Sequence, residues 1–431
     1  MSRLLPLRRL PLFATLWLQL PTLLAAQASS PSTPTAPAQG APSSVAASAA
    51  PDTSITPDCR PTVNFSPGQG VEFMTCDGDH AMHLWSRAQL RYTLTHNEQP
   101  GRDYQQTAEV RRAALFLAGH AFNPHNKYFV QLAFSARDLG LDSGPVSNSP
   151  IFDMFLTFDY ARDASLRLGQ YKPFFSRQFI AGWGDLQFID RSTVQNEFHV
   201  ERDIGFDLFS NDLGGLGLFR YTVGLYANQG RNVPNGRALH ALPVARLEFS
   251  PFGQLKDYRE SDLERSASPL LSIGIAYAYL AGSTQQRGVY GGAFADGGSA
   301  DYHSAEADLM FKWRGLSLTA EAFHRDGNRY RAIEHSDAAE ALQPARNGDG
   351  FFVQGGFVLP TMPVEFSARG GRIWAARDSS MADLGELGGA ISYYAQAHAF
   401  KVQLDYFRLW QEPQTLDSGS DQLRMQVQLQ M

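Results

Sequence analysis

The sequence predicts an all-β fold: a transmembrane antiparallel β-barrel of about sixteen strands. Three observations carry this. From about Ala81 to Met431, stretches of roughly ten residues alternate between apolar and polar side chains, the period of a pleated strand. These stretches exceed the usual strand of about five or six residues and match what a tilted strand needs to cross a bilayer. The connectors between them are in turn long and short, as in outer-membrane barrels.

The amino terminus sets the compartment. Arg3, Arg8 and Arg9 precede an apolar run, Leu10–Leu24, and Ala26-Gln27-Ala28 has the small-x-small form of a signal-peptidase site. Residues 1–28 are expected to be a signal peptide. Residues 29–57 are almost entirely Ala, Pro, Ser and Thr, too poor in apolar surface to offset the entropy of ordering, and read as a disordered leader. Residues 58–80 form an N-terminal segment holding Cys59 and Cys76, the only cysteines, for which an oxidising periplasm favours a disulfide. No further ligands stand at metal-binding spacing beside them. The barrel proper spans 81–431.

Composition excludes other classes. Beyond the signal, no stretch of about eighteen apolar residues occurs, which rules out a helical inner-membrane protein. The chain is 43% hydrophobic with a mean hydropathy of -0.27. A barrel tolerates such a value, because only alternate strand residues face lipid. Removing the three arginines of the signal takes the net charge from -6 to -9, which argues against a nucleic-acid partner.

The expected strands are 81–95, 106–122, 126–138, 151–161, 164–171, 201–210, 217–227, 242–250, 269–280, 302–314, 315–326, 350–360, 363–374, 385–396, 398–410 and 422–431. An even count returns both ends of the barrel to the periplasmic side. A count near sixteen leaves an aqueous channel, where about eight strands would be filled by side chains. Ala305, Ala307, Leu309, Phe311 and Trp313 alternate with Ser304, Glu306, Asp308 and Lys312, and Leu423, Met425, Val427, Leu429 and Met431 with Arg424, Gln426, Gln428 and Gln430. The apolar sets should face lipid and the polar sets a wet lumen. Tyr160, Tyr226, Trp313, Trp374, Tyr406 and Trp410 fall near strand ends and suit interfacial girdles, which a soluble sandwich would lack. One connector, Pro251–Ser268, is longer and more charged than its place among the short ones explains.

The most specific segment begins Leu166-Arg167-Leu168-Gly169-Gln170-Tyr171-Lys172-Pro173-Phe174-Phe175. It continues through Leu186-Gln187-Phe188-Ile189-Asp190-Arg191-Ser192, Arg202-Asp203-Ile204-Gly205 and Leu225-Tyr226-Ala227-Asn228-Gln229-Gly230. With the pair Arg111-Arg112, this ordered set resembles the phosphate-selective porin O and P family of Gram-negative outer membranes. The resemblance implies a sixteen-stranded channel, a homotrimer, and a third loop folded into the pore. Met431 departs from the terminal aromatic residue usual in such barrels.

The residues agree with that implication. The third long connector, Lys172–Val200, carries Lys172, Arg177 and Arg191 with Asp185, Asp190 and Glu197, and Arg202 follows it. Such a connector in a compact fold is usually functional. Folded inward, its charges would stand beside passing solute. The lumen wall is expected to carry Arg87, Arg91, Arg137, Arg246, Arg325, Arg369, Lys401 and Arg424. Acids face them: Glu109, Asp153, Glu248, Glu306, Asp308, Glu321, Glu365 and Asp405. Such a mixed wall reads either as cross-strand pairing or as part of a filter. The five lysines (Lys127, Lys172, Lys256, Lys312, Lys401) are widely spread, so the phosphate specificity implied by the family does not follow from them.

The expected function is passive diffusion of small hydrophilic solutes across the outer membrane, with lipid and small anions as partners and no cofactor. A phospholipase-like barrel enzyme or a purely structural barrel is the alternative. An enzyme needs a nucleophile held by a histidine, but His303 and Ser304, as strand neighbours, point to opposite faces. His324, also on an expected strand, has no obvious Ser or Asp partner. Intact-mass measurement of outer-membrane material should give a chain beginning at Ser29 with the two cysteines oxidised; a retained Met1 would disprove the export signal.

Overall fold

The computed structural model describes residues 60–97, 104–139, 149–233, 240–332 and 342–431. The expected signal peptide and leader, and Cys59, lie outside the described residues. The strands are β1 (Thr62–Ser66), β2 (Gly70–Met74), β3 (Ala81–Asn97), β4 (Tyr104–His120), β5 (Asn126–Ala133), β6 (Ile151–Phe158), β7 (Ser165–Tyr171), β8 (Asp203–Ser210) and β9 (Phe219–Tyr226). They continue as β10 (Leu242–Phe249), β11 (Leu270–Ser283), β12 (Ser299–Trp313), β13 (Leu316–Tyr330), β14 (Gly348–Val358), β15 (Val364–Ala375), β16 (Leu384–His398), β17 (Phe400–Gln411) and β18 (Ser420–Gln430). Helices α1 (Arg177–Ile180) and α2 (Thr193–Phe198) lie between β7 and β8.

Strands β3 to β18 pair antiparallel with their sequence neighbours, and β18 closes on β3 with Ser420 opposite Asn97 and Gln430 opposite Arg87. Ser86 and Met431 exchange backbone hydrogen bonds of 2.8 and 3.0 Å at the end of this seam. The result is a closed sixteen-strand barrel, the arrangement that leaves no strand edge bare in hydrocarbon.

Alternation behaves as expected on most strands. Leu404, Tyr406, Leu423 and Met425 are exposed on the outer face, while Gln403, Asp405, Arg424 and Gln426 are buried. The tight turn at Arg314-Gly315 uses positive φ at both residues (51° and 92°), as a two-residue hairpin requires.

Two expectations are corrected and two further features appear. First, β5 ends at Ala133: the Ser135 hydroxyl donates to the Asp138 carboxylate at 2.8 Å and accepts the Asp138 N–H at 3.2 Å, turning the chain out of the ladder. Arg137 sits in that turn with 56% of its side chain exposed, so it is not a wall residue. Second, Tyr226 is not a girdle residue. It is buried on the inner face and its hydroxyl donates to Asp207 at 3.0 Å. Third, the segment before the barrel contains a hairpin, β1–β2, whose second strand pairs with β3 from Leu84 to Ala81. There β3 runs past the end of β18, and β2 covers the edge that would otherwise be bare. Fourth, β4 carries a bulge: the register slips between Gln89 and Leu90, whose partners are Arg112 and Val110. The extra residue, Arg111, lies between them, so Glu109 and Arg112 both keep the inner face.

Cysteines replacing Ala88 and Leu429, which oppose one another across the seam, should crosslink with a short bismaleimide; failure there and at the next lipid-facing pair, Leu90 with Val427, would contradict closure.

Candidate functional site

The connector from Lys172 to Arg202 is built by its caps. Ser176 caps α1, accepting the Phe179 N–H at 3.2 Å, and donates its hydroxyl to Glu321 of β13 at 2.7 Å. Ser192 caps α2, accepting the Val194 N–H at 3.1 Å, and donates to Glu386 of β16 at 2.5 Å. The same carboxylates accept the backbone N–H groups of Gln178 and Thr193. Gln187 donates to Glu365 of β15 at 2.6 Å, and the Ile189 N–H to Asp405 of β17 at 3.3 Å. Carboxylates on β13, β15, β16 and β17 thus receive the connector's donors.

The connector between β10 and β11, whose length and charge stood out in the sequence, is part of this assembly. Its Glu260 is buried, accepts from the Gln178 amide at 2.8 Å and the Gln187 N–H at 2.6 Å, and donates its own N–H to the Asp185 carbonyl at 3.2 Å. Ser261 donates to Glu365 at 2.7 Å, and Asp262 accepts the Gly315 N–H at 2.7 Å. The sequence marked this connector as unusual but could not place it, because its partners lie far away in the chain.

The expected site residues separate into groups. Asp190 meets Arg91 at 2.6 Å and Arg424 at 3.1 Å, and Asp185 stands 3.8 Å from Arg87. Arg369 donates to the Asp190 carbonyl at 2.9 Å and Lys401 to the Leu186 carbonyl at 2.8 Å. Arg177 lies apart among acids, bonded to Asp308 and 3.7 Å from Glu248. Arg202 is clamped by Asp153 at 2.8 and 3.1 Å, and Arg325 donates to the Glu197 carbonyl at 2.9 Å. Arg191 does not pair with Asp190 or Asp185 as a clasp; it donates to the carbonyls of Gln178 at 2.9 Å and Ala181 at 2.7 Å, closing the end of α1. Burial, with Arg202 close by, brings Arg191 down to about 10. Lys172 donates to the Phe179 carbonyl at 2.7 Å, and burial lowers it well below the ordinary lysine range.

Arg87, Arg91, Arg112 and Arg424 lie on β3, β4 and β18; the carboxylates under the connector lie on β13, β15, β16 and β17, beside Arg325, Arg369 and Lys401. Cross-strand pairing also occurs, as Arg424 with Asp405 at 2.7 Å and Arg167 with Asp207 at 2.7 Å. Two cavities among the described residues border this assembly. One of about 870 Å³ lies against the β10–β11 connector and the β1–β2 turn; the other, of about 290 Å³, lies against β3–β7. Trp85, Arg87 and Asp185 line both.

The family model for phosphate-selective porin O and P matches residues 86–431. The chain belongs to that family. Solved structures share its fold. A Salmonella typhi OmpF complex with daunomycin is 15% identical, with a TM-score of 0.53 over 82% of this chain and 98% of that one. An anion-selective porin from Comamonas acidovorans is 9% identical, with a TM-score of 0.51 over 82% and 100%. A loop-deletion mutant of OmpT, an outer membrane protein of Vibrio cholerae, is 11% identical, with a TM-score of 0.53 over 82% and 100%. No curated protein sequence matches significantly. This porin is an outer-membrane channel of a Gram-negative bacterium.

His324, without an obvious partner in the sequence, shares a hydrogen bond with Asp349 at 2.8 Å on the outer face. The residue opposite it on β12 is Ala305, which supplies no nucleophile.

Replacing Glu386 by alanine removes the acceptor of Ser192 and Thr193. A hydrogen bond to a buried charge contributes about 1.5–3 kcal/mol, so thermal unfolding should shift by that order and open-channel current noise should rise. Wild-type stability and noise would show that α2 is held by other contacts.

Proposed function

We propose that this porin conducts small hydrophilic solutes passively, that the Lys172–Arg202 connector narrows its lumen, and that small anions are modestly preferred. The observation that carries this reading is the meeting of the two cavities at Arg87. The connector's donors engage carboxylates on β13, β15, β16 and β17, and one of the two cavities runs along β3–β7, where Arg87 and Lys172 line it. Fixed charge at the narrowest point governs ion preference, because screening is effective beyond about 8 Å at physiological ionic strength. The acids that outnumber bases in the whole chain are largely engaged by the connector or by arginines, and so add little to the field along the open path.

Among the residues first expected to set selectivity, Arg177 and Arg202 are bound to carboxylates and act as anchors. Arg91 and Arg424 are tied to Asp190. Arg87 remains for the solute, while Lys172, which lines the same cavity, donates to the Phe179 and Ala181 carbonyls. The arrangement does not form a ring of lysines and arginines, so phosphate is one anion among those admitted. Outer-membrane lipid around the apolar outer face, a homotrimer, a Cys59–Cys76 disulfide and removal of residues 1–28 complete the reading. Catalysis is not part of it.

Planar-bilayer recording tests this directly. Wild-type channels should show a reversal potential displaced toward anions in a salt gradient, and Arg87→Glu with Lys172→Glu should move it toward cations. An unchanged reversal potential and conductance in the double variant would place both residues off the conducting path.

A further inference from the structure

A water-filled barrel should present polar side chains inward, yet one part of this inner face carries a row of aromatic rings. Trp85 on β3, Phe116 on β4, Phe129 on β5, Phe155 on β6 and Tyr171 on β7 follow one another around the wall. Their centroids are 5.0, 6.4, 5.2 and 5.4 Å apart, within the range of interacting ring pairs. Trp85 lies stacked on Phe116, and Phe129 on Phe155.

Docking the connector accounts for part of the row: Trp183 packs on Phe116, centroids 6.3 Å apart. It does not account for the rest. Trp85, Phe129 and Phe155 are only half-buried and border the 290 Å³ cavity, whose connector side is formed in part by Gly182. That volume is at the lower end of the ~300–1,000 Å³ of ligand pockets and suits a single ring.

The cavity also holds a cation placed for an anion. Arg87 stands two residues from Trp85 on the same face, its guanidinium 5.9 Å from the Phe116 ring and 5.2 Å from Trp183. Its Nε donates to Gln430 at 2.7 Å, while the nearest acid to its terminal nitrogens is Asp185 at 3.8 Å, beyond hydrogen-bond reach. One terminal nitrogen lies against Gly184 of the connector, neither makes a hydrogen bond among the described residues, and Arg87 lines the cavity; a guanidinium fork matches a carboxylate in two parallel hydrogen bonds.

We propose that this slot is a binding subsite for planar aromatic monocarboxylates, the ring stacked on the aromatic row and the carboxylate held by Arg87. Asp185 beside Arg87 disfavours a second negative charge on the solute. The proposal rests on the channel reading above and adds a substrate class to it.

The test is block of chloride current through wild-type channels by benzoate, cyclohexanecarboxylate and acetate, which share one charge and differ in ring and planarity. Benzoate should reduce the current at concentrations several-fold below cyclohexanecarboxylate, and acetate should not block. Trp85→Leu and Phe129→Leu should each raise the half-blocking benzoate concentration roughly two- to tenfold, the range for loss of one ring pair. Phe351→Leu, a lipid-facing control, should block as wild type does. Equal block by benzoate and cyclohexanecarboxylate, or none by either while chloride flows, would overturn the aromatic subsite and leave the channel reading standing. Absence of chloride current in wild type would instead sink the channel reading, and the subsite with it.

Discussion

Hydrocarbon offers no hydrogen-bond partners, so every backbone group that enters it must be paired within the protein. The rest of this structure depends on that constraint. It forces β18 onto β3 and places β2 beside the stretch of β3 that β18 does not reach. It also assigns the side chains: alternate residues meet lipid and must be apolar, which sends the charged residues of sixteen strands inward. A cavity with that many charges cannot stay unpaired. The inner wall therefore becomes a network of ion pairs, and the long connector is the element that completes it.

Burial makes the pairing consequential. Arg177, Asp308, Arg424 and Asp405 are almost fully enclosed, and breaking such a pair leaves a buried charge without compensation, at a cost of about 3–5 kcal/mol. Part of the compensation comes from neutral donors. Ser176, Gln187 and Ser192 hand hydroxyl, amide and backbone hydrogens to Glu321, Glu365 and Glu386. These donors stabilise the carboxylates by hydrogen bonding, alongside Arg369 at Glu386. The arginines on β3 and β4 meet acids instead, Arg87 near Asp185, Arg91 on Asp190 and Arg112 near Asp138.

Much of the barrel was legible in the sequence because apolar–polar alternation sustained over ten residues, strand after strand, suits a wall with lipid on one side and water on the other. The failures are equally physical. Arg137 looked like a wall residue because Ser135-Ala136-Arg137 continues the alternation, but the Ser135–Asp138 turn is a local hydrogen-bond preference that alternation does not report. Tyr226 looked like a girdle residue because it ends a strand; its register with Gly205 turns it inward instead. Hairpin β1–β2 was invisible because its strands are five residues long and owe their place to a tertiary edge. The connector's Lys172, Asp185, Asp190 and Arg191 could be named from sequence. Glu260 and Glu386, which hold the connector in place, could not, since those contacts span 73 and 194 residues of chain. The aromatic row left a signal that went unread: Phe129 and Phe155 fall on the polar side of their strands' alternation.

The β10–β11 connector shows how the site is held from a second direction. The third connector reaches the wall through carboxylates on strands, which are rigid, and through Glu260, which is not on a strand. Glu260 can take that place because Asp262 binds Ser266 and the Gly315 N–H, and Ser261 binds Glu365, fixing the chain that follows it. Glu365 in turn accepts from Gln187 of the third connector. The two connectors therefore share one carboxylate on the wall and three hydrogen bonds made by Glu260. A displacement of either must break bonds in the other, so the two connectors are held as one hydrogen-bonded unit.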